Sequence, residues 1–303
     1  MMTSSCGILK GKLPDLYTGV SVYDAPSPDF MATLYKQKEI EMGYTNFNEN
    51  EYLVIKHQDS QSALARYNQG KARLLDVKKL DKATAIKPRN KEQYFAMDAL
   101  MDDTIKVVVL TGRAGTGKTL ETLAAAVAKI EQHRYKKLIL TKPSSQVGRR
   151  ELGILPGDIQ EKYLPFLINY MCNLELLFGE SLQNPTSKIN VEYIFSKYNI
   201  EIVPMQLLRG ASFNDALVIA DEVQVLDHHE MLTLGTRISE GSKLVIMGDL
   251  NQRDENIAKE RTGLFSFINN REVRDSNFTA SVHMLKSERG EVSALFSSVF
   301  EPV

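Results

Sequence analysis

Runs of apolar residues alternate with amphipathic segments along the last two thirds of the chain. The runs at residues 107–111, 137–141, 200–203, 216–220 and 243–247 are typical of strands buried on both faces of a sheet, and residues 280–285 are a sixth candidate. Helical periodicity predicts helices at residues 91–101, 120–132, 158–178, 228–238 and 287–300. Because strands that alternate with helices form parallel sheets, we predict an α/β fold for residues 86–303.

The first 85 residues have a different pattern. Strand-like runs at residues 18–23, 51–57 and 71–76 lie among turn residues, and Asn68-Gln69-Gly70 predicts a tight turn before the last of them. A charged connector at residues 78–87 ends at Lys87-Pro88, a dipeptide that disfavours helix and marks a boundary. We therefore predict a small β-containing N-terminal region at residues 1–85, without recognisable chemistry.

Composition adds exclusions. The chain has 303 residues, of which 43% are hydrophobic and 25% charged, as in an ordinary globular protein. Its formal net charge of −1 gives no overall attraction to nucleic acid, so such a partner would need a local basic stripe. Two cysteines, Cys6 and Cys172, make no disulfide framework, and no apolar run resembles a signal peptide or a membrane span. We expect a cytoplasmic protein without a membrane partner.

The most specific motif lies at residues 107–119, which read Val-Val-Val-Leu-Thr-Gly-Arg-Ala-Gly-Thr-Gly-Lys-Thr. A strand that runs into G-x-x-x-x-G-K-T is typical of a phosphate-binding loop, since its glycines let backbone N–H groups form an anion nest. Lys118 would reach the β- and γ-phosphates, Thr119 would ligate Mg²⁺, and the following helix would add its positive end. The alternative is a glycine-rich turn before an ordinary helix. The predicted nucleotide-binding residues here are Gly112, Arg113, Ala114, Gly115, Thr116, Gly117, Lys118, Thr119 and Leu120.

Two other predicted strands end in polar groups. Residues 216–222 read Ala-Leu-Val-Ile-Ala-Asp-Glu, a Walker B pattern in which Asp221 would hold Mg²⁺ and Glu222 would polarise the attacking water. Residues 245–252 read Val-Ile-Met-Gly-Asp-Leu-Asn-Gln, where Gln252 would sense the γ-phosphate. An acid at a solvated strand end and a type I turn at Gly-Asp-Leu-Asn are the alternatives. Ligands bind beyond the carboxyl ends of strands in such sheets, which is where all these groups fall.

Weaker signals surround these motifs. Gln93 is a candidate adenine reader, because a carboxamide pairs with both N6 and N7; the alternative is an N-cap at Asn90 with Gln93 exposed. Lys142-Pro143-Ser144-Ser145 suits a nucleic-acid phosphate backbone or is a solvated loop. Arg209, Arg237 and Arg289 are either surface salt-bridge residues or sources of transition-state charge.

Together these residues resemble the PhoH ATPase family. The resemblance covers about residues 86–300. It is carried by the phosphate loop, Leu-Gly-Ile-Leu-Pro-Gly-Asp at 152–158, Leu208-Arg209-Gly210 before Asp221-Glu222-Val223-Gln224, Gly248-Asp249-Leu250-Asn251-Gln252, and Leu285-Lys286-Ser287-Glu288-Arg289. It is closest to the ATPase half of the longer PhoH form, whose PIN-type ribonuclease domain is not apparent in residues 1–85.

The resemblance implies a single RecA-like core related to superfamily 1 helicases, ATP binding and hydrolysis, hexameric rings, and links to phosphate starvation and RNA. It implies catalytic roles for Lys118, Glu222 and Gln252, and an Arg289 that reaches the ATP of a neighbouring subunit. Two positions depart from the family pattern. Lys142-Pro143 stands where Arg-Pro is usual, and Val225 stands where Asn is common. Lysine lacks the planar fork of arginine, which weakens the backbone-contact role of Lys142.

The sequence thus predicts a Mg²⁺-dependent ATPase in which Glu222 orients water for in-line attack on the γ-phosphate of ATP. We expect a ring-forming homo-oligomer, hexameric by resemblance, that acts as a helicase-like motor on RNA or single-stranded nucleic acid. The rival from another class is an ATP-gated oligomeric switch with slow hydrolysis and no unwinding. A metabolic kinase is a third alternative, for which no lid signature is evident.

Overall fold

The structure is a computed structural model that describes residues 16–43, 45–58, 61–143, 170–178, 188–253 and 258–288, and the single residues 290, 292, 295, 296 and 299. Among these residues no helix has the length and apolar character needed to cross a bilayer.

The N-terminal region is a five-stranded sheet with one helix against it. Its elements are β1 (Val20–Asp24), α1 (Pro28–Gln37), β2 (Glu39–Glu41), β3 (Tyr52–His57), β4 (Gln61–Asn68), β5 (Lys71–Leu74) and the short α2 (Val77–Leu80). The strand order is β1-β3-β4-β5-β2, with β1 and β3 parallel and the other pairs antiparallel. The predicted tight turn joins β4 to β5, where Gln69 and Gly70 both have positive φ. The three predicted strands are present as β1, β3 and β5, whereas β2, β4, α1 and α2 were not predicted.

The larger sheet contains every strand predicted for the α/β part. Its strands are β6 (Val107–Gly112), β7 (Lys137–Thr141), β8 (Ile200–Ile202), β9 (Ala216–Ala220), β10 (Lys243–Gly248) and β11 (Thr279–Met284). They lie in the order β11-β6-β10-β9-β7-β8, and all neighbours are parallel. The strand before the phosphate loop therefore lies between β11 and β10, one place in from the edge of a fully parallel sheet. This is the arrangement of a RecA-like P-loop core, and the predicted fold class is confirmed.

Helices cover both faces of this sheet. They are α3 (Lys91–Met101), α4 (Lys118–Glu131), α5 (residues 170–178), α6 (Lys188–Lys197), α7 (His228–Gly235), α8 (Gly263–Asn269) and α9 (Arg271–Arg274). Phe95 of α3 and Leu123 of α4 pack in one hydrophobic core, and Leu234 of α7 and Leu264 of α8 pack in the other. Burial on both faces explains why the strand sequences are almost wholly apolar.

Several helix boundaries differ from prediction. The helix expected at 228–238 ends at Gly235, and α6, α8 and α9 were not predicted. Of the helix predicted at 158–178, residues 170–178 are described and are helical. The helix predicted at 287–300 lies largely outside the described residues.

The strand register brings the chemistry-bearing loops together. Thr111, near the end of β6, pairs with Gly248 of β10 on one side and with His283 of β11 on the other. Ala220, at the end of β9, pairs with Thr141 of β7. The loops after these strands therefore leave the sheet at the same edge, where ligands bind in this architecture.

The N-terminal sheet packs directly on the RecA-like core. The His283 N–H donates to the carbonyl of Thr18 (2.9 Å), and the Tyr52 hydroxyl donates to Asp98 (3.0 Å). Arg66 of β4 forms ion pairs with Asp98 (3.1 Å) and Asp102 (2.5 Å), at the end of α3. Tyr52 and Val54 also belong to the same hydrophobic cluster as Phe95 and Leu123. Part of the N-terminal region therefore shares a hydrophobic core with the RecA-like part, whereas Met31, Leu34 and Leu53 pack in a separate cluster.

Candidate functional site

The phosphate loop joins β6 to α4 through glycines whose conformations other residues rarely adopt. Gly112 has φ +139°, and a Cβ placed there would lie 2.0 Å from the carbonyl oxygen of Met284. Gly117 has φ +98°, and its Cβ would lie 2.8 Å from Nε2 of Gln93. As the N-cap of α4, Gly117 also provides no side chain to bond the first N–H groups of the helix. Close packing around the glycines thus shapes a loop in which the N–H groups at the N-terminus of α4 are available to bind an anion.

Lys118 folds over this loop. Its Nζ donates to the carbonyl oxygens of Gly112 (2.6 Å) and Arg113 (2.9 Å). Thr116 is fully buried, and its hydroxyl donates to the same Arg113 carbonyl (3.1 Å), which closes the turn. The ammonium group is therefore held at the loop, where phosphate oxygens would compete with backbone carbonyls for it.

The Walker B carboxylate of Asp221 is buried at the end of β9. Its Oδ1 accepts the Glu222 N–H (3.0 Å), and only 5% of the residue is exposed. Burial raises the pKa of Asp221, and the neighbouring Glu222 raises it further, whereas Lys142 and Lys118 act in the opposite direction. Burial and the Asp221 carboxylate also raise the pKa of the nearby Tyr170 well above its usual value.

The residues around Asp221 fit a magnesium ion. The hydroxyl of Thr141 is buried and has no hydrogen-bond partner within the part of the chain that the structure describes. Thr119 lines the same cavity as Asp221. Carboxylate and hydroxyl oxygens, together with water, are the ligands that Mg²⁺ takes in phosphate-transfer sites.

Glu222 is fixed from two sides in a strained conformation. Its φ of +57° lies in the left-handed region, which costs about 1–3 kcal/mol for a residue with a side chain. Gln224 Nε2 donates to Glu222 Oε2 (2.7 Å), and Lys142 Nζ lies 3.7 Å from Glu222 Oε1. The predicted backbone-contact residue Lys142 is therefore the ion-pair partner of the predicted catalytic glutamate.

Gln224 also connects Glu222 to the end of β10. Its Oε1 accepts the backbone N–H of Asp249 (3.1 Å), and only 2% of the residue is exposed. A Cβ at Gly248 would lie 2.8 Å from the same oxygen, so the glycine leaves room for this bridge. Gln252 lies three residues beyond Asp249, is exposed, and lines the cavity.

These groups surround one cavity of about 1160 Å³. Most of the predicted site residues line it, namely Gln93, Ala114, Gly115, Gly117, Lys118, Thr119, Leu120, Asp221, Glu222 and Gln252. Gly112, Arg113 and Thr116 belong to the loop without lining the cavity. Arg289 lies outside the described residues; the residue before it, Glu288, donates its N–H to the Gly115 carbonyl (2.9 Å).

Gln93 is buried behind the loop. Its N–H bonds to the side chain of Asn90 (3.1 Å), so Asn90 is a helix N-cap, although Gln93 is 4% exposed rather than solvated. Gln93 Nε2 donates to the Thr116 carbonyl (3.1 Å), and Oε1 accepts the Arg89 N–H (2.7 Å). One N–H of the Gln93 amide nitrogen and one lone pair of its oxygen remain for a ligand. The adenine-reading role of Gln93 stays a prediction.

Sequence reasoning did not assign site roles to Glu121, Tyr170 and Gln224. Glu121 lines the cavity although it is only 2% exposed, and it is the one acid in the first turn of an alanine-rich helix, which was an available signal. Gln224 follows the Asp-Glu pair and was noted only as part of a motif. Nothing in the local sequence singles out Tyr170.

Comparisons with known proteins agree with the motifs. The profile of the family described as PhoH-like protein matches residues 85–301. Protein PhoH2 of Bacillus subtilis (strain 168) is 36% identical over 211 residues, which are 69% of this chain and 46% of that protein. Protein PhoH2 of Mycolicibacterium smegmatis is 28% identical over 288 residues, 95% of this chain and 63% of that protein. The chain thus spans about half to two thirds of the length of these relatives.

Among solved structures, the Pif1 helicase from Candida albicans matches with a TM-score of 0.34 and 17% identity, over 70% of this chain and 43% of that one. The fold assignment rests on the strand order and not on this low-scoring likeness.

Proposed function

The chain belongs to the PhoH family, and we propose from this premise that its P-loop site binds ATP and hydrolyses it with Mg²⁺. The observation that supports this best is the meeting of Lys118, Asp221 and Glu222 in one cavity beyond the carboxyl ends of parallel strands. Glycines open the loop to phosphate, and Gln224 holds the Glu222 carboxylate in place.

In the proposed reaction, water attacks the γ-phosphorus in line with the bond to the β-phosphate oxygen, which breaks to leave ADP and inorganic phosphate. Glu222 orients the water, and the Lys118 ammonium group moves from loop carbonyls to phosphate oxygens. Thr119 and Asp221 would hold Mg²⁺, which supplies positive charge next to those oxygens when bound. Gln252, at the cavity rim, would contact the γ-phosphate.

Phosphate release in the presence of Mg²⁺ tests the proposal. Lys118→Ala should abolish release, because it removes the charge at the loop. Lys78→Ala, at an exposed lysine of α2, is the matched control and should leave the rate unchanged. Equal rates in the parent and Lys118→Ala, or a parent that binds no nucleotide, would reject the ATPase.

We further propose that single-stranded nucleic acid, RNA above all, stimulates this ATPase in a helicase-like motor. The supporting observation is the Lys142–Glu222 ion pair, in which Glu222 is about a third exposed. A backbone phosphate bound at Lys142 would replace Glu222 as the ion-pair partner of the Lys142 ammonium group. Glu222 would then be released to orient water. Single strands at low salt should then stimulate the parent, and Lys142→Ala should show a raised basal rate with little stimulation. Absence of both binding and stimulation would reject this coupling.

We also propose that the active form is a homo-oligomeric, hexameric ring. A motor with one RecA-like sheet needs a second surface around its ATP, which a ring neighbour can supply. Molecular mass measured with and without ATP, for the parent and for Arg289→Ala, tests this. An ATP-dependent assembly that hydrolyses slowly and ignores nucleic acid would favour the oligomeric switch over the motor, and a monomer in all conditions would reject both.

A further inference from the structure

Glu288, in the segment that follows β11, is held against the phosphate loop. Its backbone N–H donates to the Gly115 carbonyl (2.9 Å). Its side chain reaches the start of α3, where Asn90 Nδ2 donates to Glu288 Oε1 (2.9 Å). The same side chain lines the nucleotide cavity and is 21% exposed. Glu288 is therefore fixed between the phosphate loop and α3, with its carboxylate at the cavity.

The two residues that hold Glu288 belong to different ends of a bound nucleotide. Gly115 is part of the loop that would bind the phosphates. Asn90 caps α3 between Pro88 and Tyr94, which line the cavity and offer ring surfaces for a base. Since the sugar joins the phosphates to the base, a side chain that spans Gly115 and Asn90 lies at the level of the ribose.

The carboxylate of Glu288 can accept further hydrogen bonds. Asn90 Nδ2 and Lys286 Nζ (3.2 Å) both contact Oε1, and Oε2 accepts no hydrogen bond from the residues that the structure describes. The hydrogen bond from Asn90, and then that from Lys286, lower the pKa of Glu288, so the group is ionised near pH 7. An ionised carboxylate only accepts hydrogen bonds, and at the level of the sugar the donors are the ribose hydroxyls. The Lys286 ammonium group offsets the negative charge of the carboxylate beside the phosphates.

We propose that the Glu288 carboxylate accepts hydrogen bonds from the ribose hydroxyls of the bound nucleotide and thereby selects ribonucleotides. This inference rests on the proposed ATP site and adds the residue that recognises the sugar. In dinucleotide-binding folds an Asp or Glu binds a ribose hydroxyl in the same way. A sugar without hydroxyls would leave the carboxylate without its donors, and a site that binds a hydroxyl discriminates against an analogue that lacks it.

Equilibrium binding of ATP and of dideoxy-ATP, which lacks both ribose hydroxyls, tests the proposal by calorimetry on the full chain with Mg²⁺. The parent should bind ATP about 10- to 150-fold more tightly, the factor that a hydrogen bond to a charged group provides. Glu288→Met removes both carboxylate oxygens at similar volume and should bring the two affinities within about threefold of each other. Glu288→Gln keeps one acceptor without the charge and should lower the parental ratio about fivefold or more. Glu240→Met, at an exposed acid, is the matched control and should keep the parental ratio.

The outcomes separate this inference from the ATPase proposal. A parent that hydrolyses ATP but binds both nucleotides equally overturns sugar recognition alone. A Glu288→Met protein with the parental affinity ratio also overturns it, and would show that Glu288 only anchors the segment after β11 to the loop. If Glu288→Met binds neither nucleotide, the ratio in Glu288→Gln decides, and a parental ratio there overturns the inference. A parent that binds neither nucleotide overturns both proposals.

Discussion

Replacing Gln224 by Met should slow hydrolysis much more than it weakens ATP binding. The substitution keeps a side chain of similar length but removes the donor to Glu222 Oε2 (2.7 Å) and the acceptor for the Asp249 N–H (3.1 Å). Gln224 itself is not among the residues that line the cavity, so its effect must pass through Glu222 and the loop after β10.

The magnitude follows from the two lost bonds. A hydrogen bond to a charged group contributes about 1.5–3 kcal/mol, and a buried N–H left without an acceptor costs about 1–3 kcal/mol. We therefore expect the free energy of unfolding to fall by about 2.5–6 kcal/mol. A misplacement of about 1 Å in a catalytic group can cost a factor on the order of 100 in rate, so kcat should drop about 10- to 100-fold.

Steady-state phosphate release gives kcat, calorimetry gives the ATP affinity, and urea unfolding gives stability. The ATP affinity should stay within about threefold of the parent, because Gln224 is not among the residues that line the cavity. Gln132→Met, at the exposed C-cap of α4, is the control and should change neither rate nor affinity. A Gln224→Met protein that is destabilised yet turns over at the parental rate would show that the bridge is structural only and would refute the reasoning.

Three other substitutions test the fold that carries the site. Gly112→Ala places a Cβ 2.0 Å from the Met284 carbonyl oxygen, so β6 and β11 must separate. The ATP affinity, measured by calorimetry, should fall at least about tenfold. An unchanged affinity would contradict the loop geometry. Arg66→Met leaves Asp98 without its cation and should cost about 3–5 kcal/mol in urea unfolding, whereas Arg73→Met, at a half-exposed arginine, should cost less than about 1 kcal/mol; equal losses would argue against the buried network. Burial lowers the pKa of Lys243 to about 7, so the unfolded chain binds more protons than the folded one between about pH 7 and 10, and this residue makes stability rise with pH. The raised pKa of Glu121 makes stability fall with pH over the same range, so the two residues oppose each other. The test is therefore the unfolding free energy of the parent minus that of Lys243→Met, which should grow from pH 7 to 9. A constant difference would show that Lys243 does not titrate in this range.

The sequence predicted those parts of the fold that local pattern determines. The strands of the α/β part were predictable because burial on both faces demands runs such as Val107–Gly112 and Ala216–Ala220, which are apolar at nearly every position. The β4 strand was missed because its buried positions include the small residues Ala63 and Ala65, which carry little strand signal. The α8 helix begins at Gly263 after a Thr262 N-cap, and glycine at a helix start weakens the propensity signal.

The candidate site divides in the same way. Lys118 and Asp221 are set by motifs within one strand–loop unit, so local sequence was enough to propose them. Gln224 and Lys142 are the partners of the Glu222 carboxylate. These contacts and the left-handed backbone at Glu222 are visible only in three dimensions. Glu121 was overlooked because a charged residue on a helix is usually solvated, and its burial depends on the packing of α4 against the rest of the core.

Phosphate release by a Glu222→Gln variant, measured with its ATP affinity, tests the central claim most directly. The amide keeps the size of the side chain but cannot polarise water as a carboxylate does. We predict that the parent releases phosphate from ATP only with Mg²⁺, and that Glu222→Gln binds ATP within about threefold of the parent while its rate falls at least about 100-fold. A variant that hydrolyses ATP at the parental rate would contradict the claim that this cavity is a hydrolytic site organised around Glu222.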